Sequence, residues 1–370
     1  MDTDKFTVKK CESIFLLHAL GDTIGFKNAI WEFNYNLFIN DIRSTIEIIS
    51  DFIGLGGITN INLDGWNISD DTLFNYEIAK FILDLKNDNI EEKHIKKLKK
   101  EINKMMDIQK DKNIERGFGS MTTSAISNWT DTNDERHMPY NAVSGGNGCS
   151  MRTFPIGIRF HKDSDIGKLI ECSIQTSKLT HNSPIGFLGG LATAYFVKLA
   201  INNVPIVKWP YLLVELYESD KVKKFINLDD DNIYFDYRNT IKIWKKILEM
   251  FFSDGKPLNL KSSVNLISRF KIFLEIDRLM TGNTYGWAGG NGQTAVIMAY
   301  FALLDCGGTW EKLVYYAMLH GGDSDTVGAI AGGFYGAVYN MGDVSENLLK
   351  YLEMKNDIVK IAKEIYEISK

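Results

Sequence analysis

Apolar positions recur at intervals of three and four along most of the chain, the pattern of helices that each bury one stripe. Ile14, Leu17, Ala19 and Leu20 lead into Gly21. Phe74, Ile78, Phe81 and Ile82 mark a second stripe, Ile166, Leu169, Ile170 and Ile174 a third, and Leu188, Leu191, Ala194 and Tyr195 a fourth. The same spacing runs through 211–218, 240–252, 263–280, 292–304, 310–319, 327–339 and 346–368. Alternation with period two is short wherever it occurs, so the pattern predicts an all-α fold of about a dozen helices. Proline is scarce, at six positions, which permits long helices. Two windows, 107–150 and 219–239, lack a clear period and read as loops. The first ends in a glycine-rich stretch and is long for a compact domain, as functional loops often are.

Composition adds little to the class but excludes several functions. The chain has 370 residues, 45% of them hydrophobic and 24% charged, which is enough to bury a sizeable core. No Ser/Pro or Gly/Ser linker and no internal repeat interrupts it, so a compact single domain over 1–370 is expected. The net charge of −5 argues against nucleic acid or an anionic membrane as partner. The basic run Lys93–Lys104 alternates with Ile and Leu and reads as the wet face of a helix. Cys11, Cys149, Cys172 and Cys306 are widely spaced, with no CxxC pair, which suits a reducing compartment. The N-terminus does not resemble a signal peptide and the pattern offers no evident membrane span, so a soluble cytoplasmic protein is expected.

The candidate chemistry lies in short polar clusters. Ser69-Asp70-Asp71-Thr72 precedes a helical stretch. Such residues cap helices, yet two adjacent carboxylates between two hydroxyls also make a hard-oxygen cluster of the kind Mg²⁺ selects. His320-Gly321-Gly322-Asp323-Ser324-Asp325-Thr326 repeats the arrangement before a helix lined with Gly and Ala. Charges at the start of a bundle-core helix are costly unless paired or bound to metal. The two clusters together offer about six oxygen ligands, enough for one or two octahedral cations completed by water. Gly145-Gly146-Asn147-Gly148-Cys149-Ser150-Met151-Arg152 is neither a dinucleotide fingerprint nor a P-loop, but its backbone could cradle a phosphate or simply turn. Gly286-Trp287-Ala288-Gly289-Gly290-Asn291-Gly292, with Tyr285 before it, could stack on a ring or fill the core. His181 could be structural or donate to a diphosphate. Gly21-Asp22-Thr23-Ile24-Gly25 reads as the end of the first helix, and Glu32, between Trp31 and Phe33, as a gate or an exposed loop acid. Cys149 has no His/Asp pattern that would make it a nucleophile.

Taken in order, Gly21-Asp22-x-x-Gly25, Ser69-Asp70-Asp71-Thr72, Gly146-Asn147-Gly148-x-x-Met151-Arg152, Thr180-His181 and Gly321-Gly322-Asp323-Ser324-Asp325-Thr326 resemble the ADP-ribosylglycohydrolase family over almost the whole chain. Trp31-Glu32-Phe33, Trp66-x-x-Ser69, Gly286-Trp287-x-Gly289 and His320 before the last motif are most similar to its arginine-specific branch. The resemblance implies a compact all-α domain with a binuclear magnesium site. Ser69, Asp70, Asp71, Asp323, Asp325 and Thr326 would hold two Mg²⁺ ions. Gly145, Gly146, Asn147, Gly148, Cys149, Met151 and His181 would take the diphosphate side of ADP-ribose. Tyr285, Gly286, Trp287 and Asn291 would border the adenosine and the leaving guanidine. Asp70 and Asp71 would do the acid/base work, and Glu32 would be a mobile acid beside the ribose. The implied reaction is hydrolysis of the bond between ribose and arginine in ADP-ribosylated proteins, by a monomer, releasing ADP-ribose. Cleavage from serine or another acceptor, and a module that binds ADP-ribose without cleaving it, are the alternatives.

Overall fold

The computed structural model describes residues 6–33, 42–85, 89–129, 138–253, 255–257, 266–281 and 288–370. It is all-α, as the periodicity predicts. Among the described residues, extended pairing is confined to the ribbon of Phe252–Ser253 with Lys256–Pro257 and to one bridge between Gly146 and Asn291.

Two helices form the centre. Val8–Phe26 is buried without interruption from Ser13 to Phe26, and Ser324–Tyr339 from Ser324 to Ala337. They run antiparallel and nearly touch. A Cβ on Gly336 would lie 2.5 Å from Ser13 O, one on Gly332 2.1 Å from Leu17 O, one on Gly21 2.1 Å from Gly328 O, and one on Gly25 2.1 Å from Ser324 O. Steps of four residues on both helices put these small positions on facing stripes, so the two backbones pack directly. The same contact sets Gly25 on the first helix against the Ser324–Asp325 turn that opens the second.

This geometry revises one reading of the sequence. Gly21 and Gly25 do not end the first helix, which continues to Phe26 and is capped by Lys27 in the left-handed region at φ 41°. They are glycines because another helix lies against them, and a single sequence does not distinguish that reason from a helix stop. The expected loops also contain more order than their composition suggests. Ser120–Ser127 is helical within 107–150, and Asp231–Phe251 begins inside 219–239, with the Asp230 carboxylate accepting from Asn232 N and Ile233 N. Within the acidic run Asp229–Asp231, Asp230 is thus the helix cap. The stretch 346–368 breaks into a 3₁₀ turn, Glu346–Leu349, and the helix Lys355–Ser369.

Around the central pair pack Asp70–Asp84, Phe154–Arg159, Pro184–Ile201, Gly292–Cys306 and Lys355–Ser369. Pro184–Ile201 corrects the expectation about membrane spans. It has 18 residues with mean hydropathy 1.5, apolar and long enough to cross a bilayer, but 94% of it is buried inside this bundle. Glu92–Asp111 carries the basic run outward and buries Ile95, Leu98, Ile102 and Met105. All four cysteines are buried free thiols.

Candidate active site

The site assembles where three helix ends converge. Ser69 caps Asp70–Asp84 with its own hydroxyl, which accepts from Asp71 N at 3.1 Å. One residue therefore does the capping, and the Asp70 and Asp71 carboxylates are released from it. Asp22 supports the same turn from the first helix. It accepts from Ser69 N (3.1 Å), Thr72 N (3.1 Å) and Thr72 Oγ1 (2.5 Å). The Gly21-Asp22-x-x-Gly25 motif included Asp22 without a role for it, and its part here becomes visible only once the helix is seen to continue.

A second strap holds this turn from outside. Arg116 O accepts from Asp70 N at 2.7 Å. The Arg116 guanidinium donates to Ile68 O (2.6 Å), to Gln109 Oε1 (3.0 Å) and, through both terminal nitrogens, to the Glu353 carboxylate at 2.7 Å each. Glu353 in turn accepts from Ile68 N at 3.0 Å. Arg116 and Glu353 stand 237 positions apart and carry no motif, so sequence reading had no signal for them.

The start of Ser324–Tyr339 brings the second acidic cluster against the first. Thr326 Oγ1 donates to Asp71 Oδ1 at 3.2 Å across 255 positions of sequence. Asn147 Nδ2 donates to Asp323 Oδ2 and to Gly289 O, both at 2.8 Å, and so joins the glycine-rich loop to the acids. Phe33 N donates to Gly322 O at 2.9 Å, which brings Glu32 into the group. Carboxylate oxygens of Glu32, Asp323 and Asp325 lie within 4.8 Å of one another. Glu32 is half-buried beside them and is not an exposed loop acid.

The electrostatics are one-sided. Burial raises the carboxyl pKa of Asp22, Glu32, Asp70, Asp71, Asp323 and Asp325, Asp22 to about 6. Repulsion from neighbouring acids adds to the rise at Glu32, Asp70, Asp71 and Asp325. Arg152 is a counter-charge to Asp70, buried and stacked 5.5 Å from the Phe74 ring. Asp71 Oδ2 is buried and, among the described residues, has no hydrogen-bond partner. An orphaned carboxylate oxygen within an all-oxygen donor set is the chemistry of a hard divalent cation, so the residues fit the implied metal.

Across a cavity of about 620 Å³, the acids face a neutral wall. Gly145, Gly146, Asn147, Gly148, Met151, His181 and Asn291 line it together with Glu32, Asp70, Asp71, Asp323, Asp325 and Thr326. The loop rests on the first turns of Pro184–Ile201 and Gly292–Cys306. Gly292 N donates to Gly145 O, and a Cβ on Gly145 would lie 3.2 Å from the Ile185 side chain. Two helix N-termini thus point their positive ends at this wall, which favours an anion. Glycine is required at Gly148, where a Cβ would sit 2.8 Å from the His181 ring. The Asn291 carboxamide caps Gly292–Cys306, accepting from Gln293 N and Thr294 N. Cys149 lies behind the wall with its thiol donating to Ser177 O, and burial pushes that thiol up. Ser69 lies beneath the acids as the cap. Tyr285, Gly286 and Trp287 lie outside the described residues. Met121, Thr122 and Val143, which no motif marked, are among the other residues that line the cavity.

The all-α bundle thus sets a group of carboxylates across one cavity from a glycine-rich loop. The chain matches the family description ADP-ribosylglycohydrolase over residues 6–370. It is 32% identical over 372 residues to the protein named ADP-ribosylhydrolase ARH1 of Dictyostelium discoideum, covering 95% of this chain and 92% of that one. A protein of Acanthamoeba polyphaga mimivirus that carries the provisional name ADP-ribosyl glycohydrolase L444 is 31% identical over 360 residues, 94% of this chain and 68% of the other. The mouse protein named ADP-ribosylhydrolase ARH3 is 25% identical over 240 residues, 61% of this chain and 57% of its own. A solved structure described as an ADP-ribosylglycohydrolase-related protein complex shares the fold at 16% identity, with a TM-score of 0.55 and coverage of 98% of this chain and 100% of that one. The chain belongs to the ADP-ribosylglycohydrolase family and is a hydrolase of that family.

Proposed function

We propose that this protein hydrolyses the N-glycosidic bond that joins ADP-ribose to an arginine side chain of a modified protein, in a magnesium-dependent reaction that restores arginine. The observation that carries the reading is the juxtaposition, across one cavity, of the acids Glu32, Asp70, Asp71, Asp323 and Asp325 with the Gly145–Gly148 loop and His181. Ser69, Asp70, Asp71, Asp323, Asp325 and Thr326 would hold two Mg²⁺ ions. Bound there, the metal would supply charge stabilisation and a grip on ribose hydroxyls.

The protein's own groups divide the remaining work. The loop and His181 seat the diphosphate, which orients the sugar toward the acids. One carboxyl of the group Glu32, Asp70 and Asp71 would protonate the leaving group, while an ionised neighbour takes the proton of an attacking water. They titrate as one coupled set, so the proton belongs to the group. The Trp31-Glu32-Phe33 segment and the Gly286-Trp287-x-Gly289 motif favour arginine as the acceptor.

The test is release of ADP-ribose from arginine-linked and serine-linked peptides, each with Mg²⁺ and with a chelator. The proposal expects metal-dependent release from the arginine peptide. Release from serine alone would move the specificity to another branch, and binding of ADP-ribose without release from either would make the protein a reader.

A further inference from the structure

His181 forms part of the pocket wall, and the side chains behind it determine which of its nitrogens carries the proton. Arg152 is 1% exposed and its Nη2 donates to Thr180 Oγ1 at 2.8 Å and to Thr176 O at 3.1 Å. Arginine has no acceptor and does not deprotonate in proteins, so the direction of the bond to Thr180 is fixed. Thr180 Oγ1 also lies 2.8 Å from His181 Nδ1. With one lone pair committed to Arg152, the hydroxyl has a single proton to give. The nearby acceptors are His181 Nδ1 and the Cys149 sulfur. A thiol sulfur accepts weakly and an imidazole nitrogen well, so the proton goes to Nδ1. His181 Nδ1 is then the acceptor and Nε2 carries the hydrogen. Among the described residues Nε2 has no partner, and it lies 3.0 Å from the Cβ position of Gly146, on the loop that lines the cavity.

We propose that Arg152 and Thr180 are positioning residues that lock His181 in its Nε2–H tautomer, so that the pocket wall presents a neutral N–H donor to a phosphate-type oxygen of the ligand. The ligand half of this statement rests on the function proposed above; the tautomer half does not. Burial and the Arg152 charge push the imidazole down to about 3, so it enters the pocket as a neutral donor. The opposite tautomer would aim a lone pair at the same oxygen and repel it. The arrangement explains why a cation is buried behind the wall. Arg152 does not reach the cavity lining, and among the described residues its Nε and Nη1 have no partner. What it delivers is an obligatory donor at Thr180.

The experiment is long-range ¹H–¹⁵N NMR of histidine-labelled full-length protein without ligand, with the His181 signals assigned by their loss in His181→Gln. The expected spectrum shows Nδ1 as the unprotonated nitrogen and Nε2 as the protonated one. In Thr180→Val the preference collapses toward a mixture and ADP-ribose binds about tenfold more weakly, the loss expected for one hydrogen bond to a charged group. Mg²⁺ affinity is unchanged there, and Thr180→Ser restores both tautomer and affinity. A role confined to stability would lower the melting temperature without moving the nitrogen shifts. Wild-type protein with the proton on Nδ1 overturns the lock whatever the variants do. So does a Thr180→Val protein that folds and keeps both tautomer and affinity. The expected tautomer in a protein that binds neither ADP-ribose nor inorganic pyrophosphate upholds the lock and overturns the diphosphate reading.

Discussion

The contact between Val8–Phe26 and Ser324–Tyr339 sets the spacing of the acids, and Gly25→Ala tests it. The added Cβ would lie 2.1 Å from Ser324 O and 2.7 Å from Asp325 N. Both atoms are backbone, so neither can rotate aside. Real Cβ contacts do not fall below 3.0 Å, so the first turn of Ser324–Tyr339 has to retreat by about an ångström. Overpacking of this kind costs about 1–3 kcal/mol, a melting temperature lower by a few degrees. The larger effect is on the site. Mg²⁺ requires ligands near 2.0–2.1 Å in an almost ideal octahedron, and a shift of about an ångström moves Asp325 and Thr326 out of that geometry relative to Asp71. Calorimetric titration with Mg²⁺ should show affinity reduced by about tenfold or more, in a protein that remains helical by circular dichroism. Gly54→Ala is the control. It sits at the exposed end of Ile42–Gly54 with nothing within 4 Å of its Cβ position, and should melt at the same temperature or slightly higher. If Gly25→Ala binds Mg²⁺ and melts like the wild type, the acids are not positioned by this contact.

Other consequences follow from the same geometry. The double variant Asp70→Asn, Asp71→Asn should lose turnover with far-UV helicity intact, because Ser69 and Asp22 hold the cap; loss of helicity would show that the acids are needed to cap the helix. Metal-free protein should become more stable as pH is lowered from 7 toward 5, read from melting temperatures. The carboxyl pKa values are raised by folding, so the folded chain binds more protons than the unfolded one. The stabilisation is complete below the unfolded value near 4 and is lost as pH rises through the folded values, about 6 for Asp22. For Asp22 this is on the order of 3 kcal/mol, and saturating Mg²⁺ should flatten the dependence; a flat profile without metal would contradict the burial of these acids as charges. Glu353→Ala leaves Arg116 buried without its carboxylate and should cost about 2–4 kcal/mol by chemical denaturation, a fully stable variant refuting the strap.

Local pattern carried the helical class, the wet face of Glu92–Asp111 and the polar clusters, because period and capping chemistry are properties of neighbouring residues. It also placed Ser69, Asp70 and Asp71 at a helix start and Asp323, Asp325 and Thr326 at another. What it could not choose was between roles that look alike in one dimension. Gly21 and Gly25 read as a helix end and proved to be the contact surface for another helix. Asp230 read as loop and proved to be a cap. The roles of Asp22, Arg116 and Glu353 had no local signal: Ser69 lies 47 positions from Asp22, Glu353 237 from Arg116 and Ile68 285 from Glu353. The tertiary structure alone decided that Asp71 keeps an unpartnered oxygen, that Glu32 joins Asp323 and Asp325, and that Thr180 stands between Arg152 and His181. Each depends on how helices pack, and packing is set by the sum of many distant contacts, whereas a motif records only what its own few residues can do.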